Sequence, residues 1–251
     1  MKAGRVLRAA LVSCLVLAGP AVVRATIIAD SVAEFSGVQG QSNWYYGYWD
    51  RTSDADDIYA PSEFALMSQY LTTPSMDYGP SLHSPCWRVQ DGDYWTALWG
   101  EGGHPNGTNG NFGHLRFEHW TIRRWVSEVT GPIEISGQLG CSDNFPCSVS
   151  GRIFVDGIQV YSQFATGDDG LLNYLVAVPV SARSLVDISI DSNGVDFDDM
   201  TYFTATITPE PSHAAMLLVI LILARLRALP PRRSRVLSNK HNGKGDPRMP
   251  V

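Results

Sequence analysis

From Trp125 onward, apolar and polar residues alternate with a period close to two, the spacing of extended segments buried on one face. Ile133-Glu134-Ile135-Ser136 alternates cleanly. Gly151-Arg152-Ile153-Phe154-Val155 and Ile158-Gln159-Val160-Tyr161 flank Asp156-Gly157, a dipeptide that accepts positive φ at both turn positions and therefore predicts a tight hairpin. Residues 174–180, 186–190 and 201–207 continue the alternation, separated by clusters of Gly, Asn, Asp and Ser. Many short strands without amphipathic helices between them predict an all-β fold, a β-sandwich of jelly-roll type.

The N-terminal half reads differently. Residues 41–125 hold all seven tryptophans but little regular periodicity, so long loops are expected there, with a short helix begun by Pro61-Ser62-Glu63. No repeat of roughly 20–50 residues is visible, which disfavours a solenoid or a propeller.

The two ends are apolar and basic. Lys2, Arg5 and Arg8 precede the apolar run 9–18, and Val23-Arg24-Ala25 offers small residues at the two positions a signal peptidase reads. Residues 1–25 are therefore expected to be a secretory signal. Leu11-Val12-Ser13-Cys14 fits a lipobox loosely, but Cys14 sits inside the apolar run, as in an ordinary signal core. At the other end an apolar run, 214–224, precedes Arg225, Arg227, Arg232, Arg233 and Arg235. A spanning helix needs about 20 predominantly apolar residues. This run is shorter, and can be lengthened to Leu229 if Arg225 and Arg227 snorkel to the inner headgroups. Residues 236–251 form a polar tail.

Between the ends lies a body, 26–208, long enough for one domain with a substantial core. It contains seven arginines, no lysine and 23 acids, a formal charge of −16 that the whole-chain value of −6 conceals. Phosphate backbones repel such a surface, which argues against nucleic acid as a partner. The acidity fits a solvated, exported surface, or alternatively cation binding. Cys141 and Cys147 bracket five residues and are placed to close a small loop in an oxidising compartment, leaving Cys86 free. No cysteine–histidine spacing completes a zinc pattern, and no metal or other cofactor is expected.

Two resemblances extend this reading. Pro209-Glu210-Pro211, the apolar run and the arginine cluster resemble the PEP-CTERM sorting signal of exopolysaccharide-producing Gram-negative bacteria. The resemblance implies a sorting signal over 209–235, an inner-membrane-anchored intermediate, recognition of Pro209, Glu210 and Pro211 by an exosortase, and delivery to the cell surface or the extracellular matrix. Within the body, Gln39-Gly40, Asn43-Trp44-Tyr45-Tyr46-Gly47-Tyr48-Trp49-Asp50, Gly103-His104-Pro105-Asn106, Arg123-Arg124-Trp125, Ile133-Glu134-Ile135-Ser136-Gly137 and Gly151-Arg152-Ile153-Phe154-Val155-Asp156-Gly157 are similar to an uncharacterised domain of secreted planctomycete proteins. That resemblance implies architecture and setting; it transfers no activity.

Candidate binding residues are aromatic. Sugars stack C–H faces on aromatic rings while their hydroxyls bond to Asp, Asn and Arg, so Trp44, Tyr45, Tyr46, Tyr48 and Trp49 beside Asn43 and Asp50 suit a polysaccharide. Period two splits the cluster: Trp44, Tyr46 and Tyr48 share one strand face and Tyr45 and Trp49 the other, so one face is expected to be core. Trp95 and Trp99, near Asp91, Asp93 and Glu101, form a second candidate patch. Arg123 and Arg124 face opposite ways on a strand, and a cation–π or carboxylate contact is their expected use. His83, His104, His114 and His119 have no metal-binding spacing, and the acidic stretch 191–199 reads as a polar turn rather than a calcium loop. No nucleophile elbow, P-loop, HExxH or dinucleotide fingerprint is present. The expected function is a non-catalytic structural or glycan-binding module. The alternative is a secreted polysaccharide lyase or glycoside hydrolase acting through carboxylates that the sequence does not single out.

Overall fold

The computed structural model describes residues 26–72, 85–89, 95–109, 115–141 and 147–210. The expected leader 1–25, the sorting segment beyond Glu210 and the tail 236–251 lie outside the described residues, as do Asp91, Asp93, His83 and His114. Among the described residues no helix is long and apolar enough to cross a membrane. The strands are β1 (Ala29–Asp30), β2 (Trp44–Asp50), β3 (Ala65–Leu66), β4 (Gln69–Leu71), β5 (Cys86–Arg88), β6 (Ala97–Trp99), β7 (Gly102–His104), β8 (His119–Val126), β9 (Gly131–Cys141), β10 (Ser148–Val155), β11 (Ile158–Thr166), β12 (Leu172–Val180), β13 (Leu185–Asp191), β14 (Thr201–Phe203) and β15 (Thr206–Pro209).

These strands form two antiparallel sheets that share one core. The larger is built around β9, which pairs with β12 along one side and with β15 and then β14 along the other. β1 adds to β15, and β7, β6, β5 and β4 extend the sheet outward from β14. The six-stranded sheet runs β11-β10-β13-β8-β2-β3. Trp44, Tyr46, Trp125, Ile153, Val186, Ile188 and Ile190 of this sheet pack with Ile133, Ile135, Leu139, Phe203 and Ile207 of the larger one.

The expected hairpin is present. Asp156 (φ 51°) and Gly157 (φ 83°) both adopt positive φ, and Val155 pairs with Ile158 across the turn. The expected strand over 201–207 is interrupted at Thr204-Ala205, but β14 and β15 keep one register along β9, from Thr201↔Cys141 to Pro209↔Ile133. At the interruption hydroxyls replace ladder partners: Thr204 Oγ1 accepts from the Gln138 N–H and Ser31 Oγ from the Ala205 N–H. The expected helix near Pro61 is a single 3₁₀ turn, Pro61–Glu63, at whose start the Ala60 N–H donates to the Glu63 carboxylate at 2.6 Å.

The six-stranded sheet is covered on its outer face as well. Trp49, Trp120, Ile122 and Phe154 form a second core there with Tyr59, and Phe64 packs against it. Tyr59 reaches across to Asp187 Oδ2 at 2.7 Å. Arg124 holds the same carboxylate with Nε (2.7 Å) and Nη2 (2.9 Å), and Nη2 also donates to the Pro61 carbonyl. With its guanidinium carbon 4.1 Å from the Phe64 ring centroid, Arg124 makes the carboxylate contact and the cation–π contact expected of the pair.

Candidate functional site

At one end of that outer face the covering chain stops and a strip of charged groups lies over aromatic rings. Alternation along β10 turns Ser150, Arg152 and Phe154 outward, and β13 brings Asp191 beside Ser150 and Ser189 beside Arg152. β8 contributes Trp120, directly opposite Trp49 of β2. Arg51 follows β2 and Glu118 precedes β8, so the chain ends of two neighbouring strands complete the strip.

The contacts are continuous. Arg51 Nη1 donates to Glu118 Oε1 at 2.7 Å, while its Nε lies 3.4 Å from Asp57. The Trp120 indole donates to the same Glu118 oxygen at 3.4 Å, and its ring meets Trp49 edge-on at 4.7 Å. Arg152 lies with its guanidinium carbon 4.8 Å from the Trp120 centroid and donates through Nη2 to Asp191 Oδ2 at 2.7 Å. Asp191 Oδ1 accepts the Asn193 N–H at 2.7 Å. The Glu118 hydrogen bond is the main cause that raises Arg51 above the ordinary guanidinium range. The side chains of Arg51 and Arg152 remain 34% and 23% exposed, whereas Asp191 is 3% exposed and Trp120 is buried. The two carboxylates therefore fix two planar guanidinium forks, that of Arg152 over the Trp120 indole and that of Arg51 on the Glu118 oxygen the indole also bonds, while leaving part of each in water. Such a surface offers paired donors and acceptors to a hydroxyl-rich ligand.

The aromatic residues singled out in the sequence are mostly elsewhere. Trp44 and Tyr46 are wholly buried between the sheets, Trp49 is buried beneath the outer cover, and Trp99 is buried with Cys86. Trp44, Tyr46 and Trp49 lie in the core because both faces of β2 are covered, and Trp99 of β6 packs with Cys86 and Ala97. Tyr48 is half-buried against the His119 ring at 4.9 Å. Asp50 caps the 3₁₀ turn Arg51–Ser53, accepting from the Ser53 N–H and hydroxyl, and lies 3.8 Å from His119 Nε2. Trp95 is half-buried, its ring tilted 38° to that of His104 at a centroid distance of 5.8 Å, with its backbone N–H donating to Asn106 Oδ1. Cys141 and Cys147 are joined by a disulfide, and Cys86 is free and buried.

Neither the histidines nor the acids assemble a reactive group among the described residues. His119 is buried with Nδ1 2.9 Å from Thr96 Oγ1, and burial pushes it down to about 4, against the opposing pull of Asp50. His104 Nδ1 is held by the Pro105 carbonyl. In the polar turn after β13, Asp196 accepts the Gly107 N–H and Asp199 Oδ1 accepts the Ser148 N–H, so these carboxylates fasten loops to the sheet. Among the described residues, Asp54, Asp56 and Glu63 do approach one another closely enough to hold an ion, but Asp56 and Glu63 already accept N–H groups from Ile58 and Ala60.

Arg51, Glu118, Trp120, Arg152 and Asp191 were not legible as a group. Arg152 and Asp191 are polar residues at outward positions of β-branched strands, a visible signal, but their partners lie tens of residues away and no local spacing connects them.

No family model matches the sequence, and no curated protein matches it. Among solved structures, a CBM51 module from Clostridium perfringens GH95, in complex with methyl-galactose, is similar over 42% of this chain and 78% of its own, with 16% identity and a TM-score of 0.27. A likeness this small says nothing about a ligand here.

Proposed function

We propose that the chain is an exported, non-catalytic β-sandwich, sorted to the cell surface or the exopolysaccharide matrix, that binds glycan through the strip Arg51–Glu118–Trp120–Arg152–Asp191. The observation that carries the proposal is a pair of partly exposed guanidinium groups held by carboxylates, Arg51 by Glu118 and Arg152 by Asp191, with Arg152 over the Trp120 ring and the Trp120 indole bonded to the same Glu118. Jelly-roll connectivity belongs to the same reading: β8 to β10 alternate between the two sheets, as do β11 to β14. Export rests on the leader-like 1–25, and sorting on the Pro209-Glu210-Pro211 segment with its apolar run and arginines. Signal peptidase and an exosortase are the processing partners on this reading. The body leads straight into that signal, since Pro209 ends β15 and the Glu210 N–H donates to the Pro132 carbonyl.

Affinity electrophoresis of the full chain in non-ionic detergent, through gels containing dextran, xylan or galactan, tests the glycan claim. Arg152→Ala and Arg51→Ala are expected to release a retained chain, weakening binding roughly tenfold or more for each charge-assisted hydrogen bond lost. No retention in any gel, or full retention of both folded variants, would overturn it.

A further inference from the structure

β8 carries a positive charge into the sandwich without a counter-charge. Alternation along this strand turns Trp120, Ile122 and Arg124 outward and Thr121, Arg123 and Trp125 inward. Arg123 therefore stands between Tyr46 of β2 and Ile188 of β13, both core residues, and is 2% exposed. Its Nη2 donates to the Trp99 carbonyl, whereas Nε and Nη1 have no hydrogen-bond partner. Arg51, Arg124 and Arg152 each reach a carboxylate. Among the described residues Arg123 reaches none, and Glu101 and Asp30 act on it only through space. Burial pulls it below the ordinary guanidinium range, yet a guanidinium in a protein keeps its proton.

Thr121 is fully buried, and its Oγ1 likewise has no partner. Both side chains end against the same part of the larger sheet. Trp99 closes β6, and Thr121 Oγ1 lies so near β7 that a Cβ on Gly103 would stand 3.2 Å from it. Gly103 pairs with Leu98, the residue before Trp99. The two groups are roughly 7 Å apart along one face of β8, beneath β6 and β7.

We infer that Arg123 and Thr121 hold a small monovalent anion of the halide class between the two sheets, bound by Arg123 Nε and Nη1 and by the Thr121 hydroxyl.

The chemistry at this place selects the ligand. Each unmet position of Arg123 is a donor, the Thr121 hydroxyl can be one, and the local charge is positive, so an acceptor with one negative charge answers both needs. Water would accept the hydrogen bonds and leave the charge, and a buried charge is costly unless it is paired as well as hydrogen-bonded. The neighbours are apolar: Ile188 and Ile190 flank Arg123 and Thr121 on β13, and Leu98 belongs to the same core. A polyatomic anion would leave some of its oxygens unmet among them, whereas a halide has none to satisfy. The ion would tie β8, inside the six-stranded sheet, to β6 and β7, which have only three residues each.

Thermal unfolding of the full chain in non-ionic detergent, dialysed into sodium gluconate and compared with sodium chloride and sodium bromide at one ionic strength, tests this site. Fixed ionic strength keeps the screening of the acidic body equal. Halide is expected to raise the wild-type melting temperature over gluconate by about 2–4 °C once it stands roughly fivefold above its Kd. Arg123→Met is expected to lose that rise, and should it fail to fold, Thr121→Val is expected to lose at least part of it. In crystals grown from bromide, an anomalous peak is expected within hydrogen-bond reach of Arg123 Nη1 and Thr121 Oγ1. No halide rise in the wild type, an equal rise in the folded variant, or bromide peaks at the surface alone would overturn it.

Discussion

Asp199 sits wholly buried, with Oδ1 accepting the Ser148 N–H and Oδ2 without a hydrogen-bond partner. Burial pushes its carboxyl up to about 9, and Asp196, Asp191 and Asp198 add to the rise while the Ser148 N–H opposes it. The folded chain thus holds this acid protonated at neutral pH. Because its pKa is raised above the ordinary 3.8, the associated stability is complete below about pH 4 and declines as pH climbs toward 9, by up to about 1.4 kcal/mol per pH unit. Asp199→Asn is expected to flatten that decline and to raise the melting temperature at pH 8, as read by thermal unfolding across pH 5–9. His119 acts in the opposite sense. Its pKa is lowered from 6.5 to about 4 by burial, so its contribution is present above pH 6.5 and lost as pH falls toward 4. A stability profile falling on both flanks is the expected result, and a profile with no acid-side loss between pH 6.5 and 4 would contradict the neutral, buried histidine. Neither environment was legible in the sequence, since the partners of Asp199 and His119 are fixed by packing rather than by spacing.

The covering segment over 51–64 depends on one latch. Tyr59, Pro61 and Arg124 all converge on or beside the fully buried Asp187. Removing one partner of a buried pair strands the other charge, so Asp187→Ala is expected to cost about 3–5 kcal/mol, and Tyr59→Phe only about 1 kcal/mol. Urea unfolding of both variants measures the difference, and near-equal losses would argue against a charge-centred latch. The longer strands from β9 onward were legible from alternation, and the Asp156-Gly157 turn from its backbone demands. The two- and three-residue strands β3 to β7 were not, because so short a run has no period. Nor could β2 be read as core on both sides: alternation divides Trp44 and Tyr46 from Trp49, but it cannot say that a distant latch seals the outer face.

Across the whole molecule, the features that decide its behaviour are distributed differently from those that decide its fold. Much of the core follows from alternation in β9 to β15, and the all-β sandwich follows from that core. The candidate strip, in contrast, joins residues from chain positions 51 to 191 that share only an outward register. In the aromatic-rich segment Trp44, Tyr46 and Trp49 are buried, because tryptophan's large apolar surface favours burial wherever cover exists. The arginines of the body are similarly informative once placed. Arg51, Arg124 and Arg152 are each paired with carboxylates, so the strip presents hydrogen bonds without a net cationic field that would draw anionic polymers. Hydrogen exchange of the full chain, with and without whichever of dextran, xylan or galactan retains it, tests the glycan-binding strip most directly. Slowed exchange is expected around residues 118–120, 150–152 and 189–193, with residues 44–46 unchanged; protection confined to other segments, or none with any of the three polymers, would contradict it.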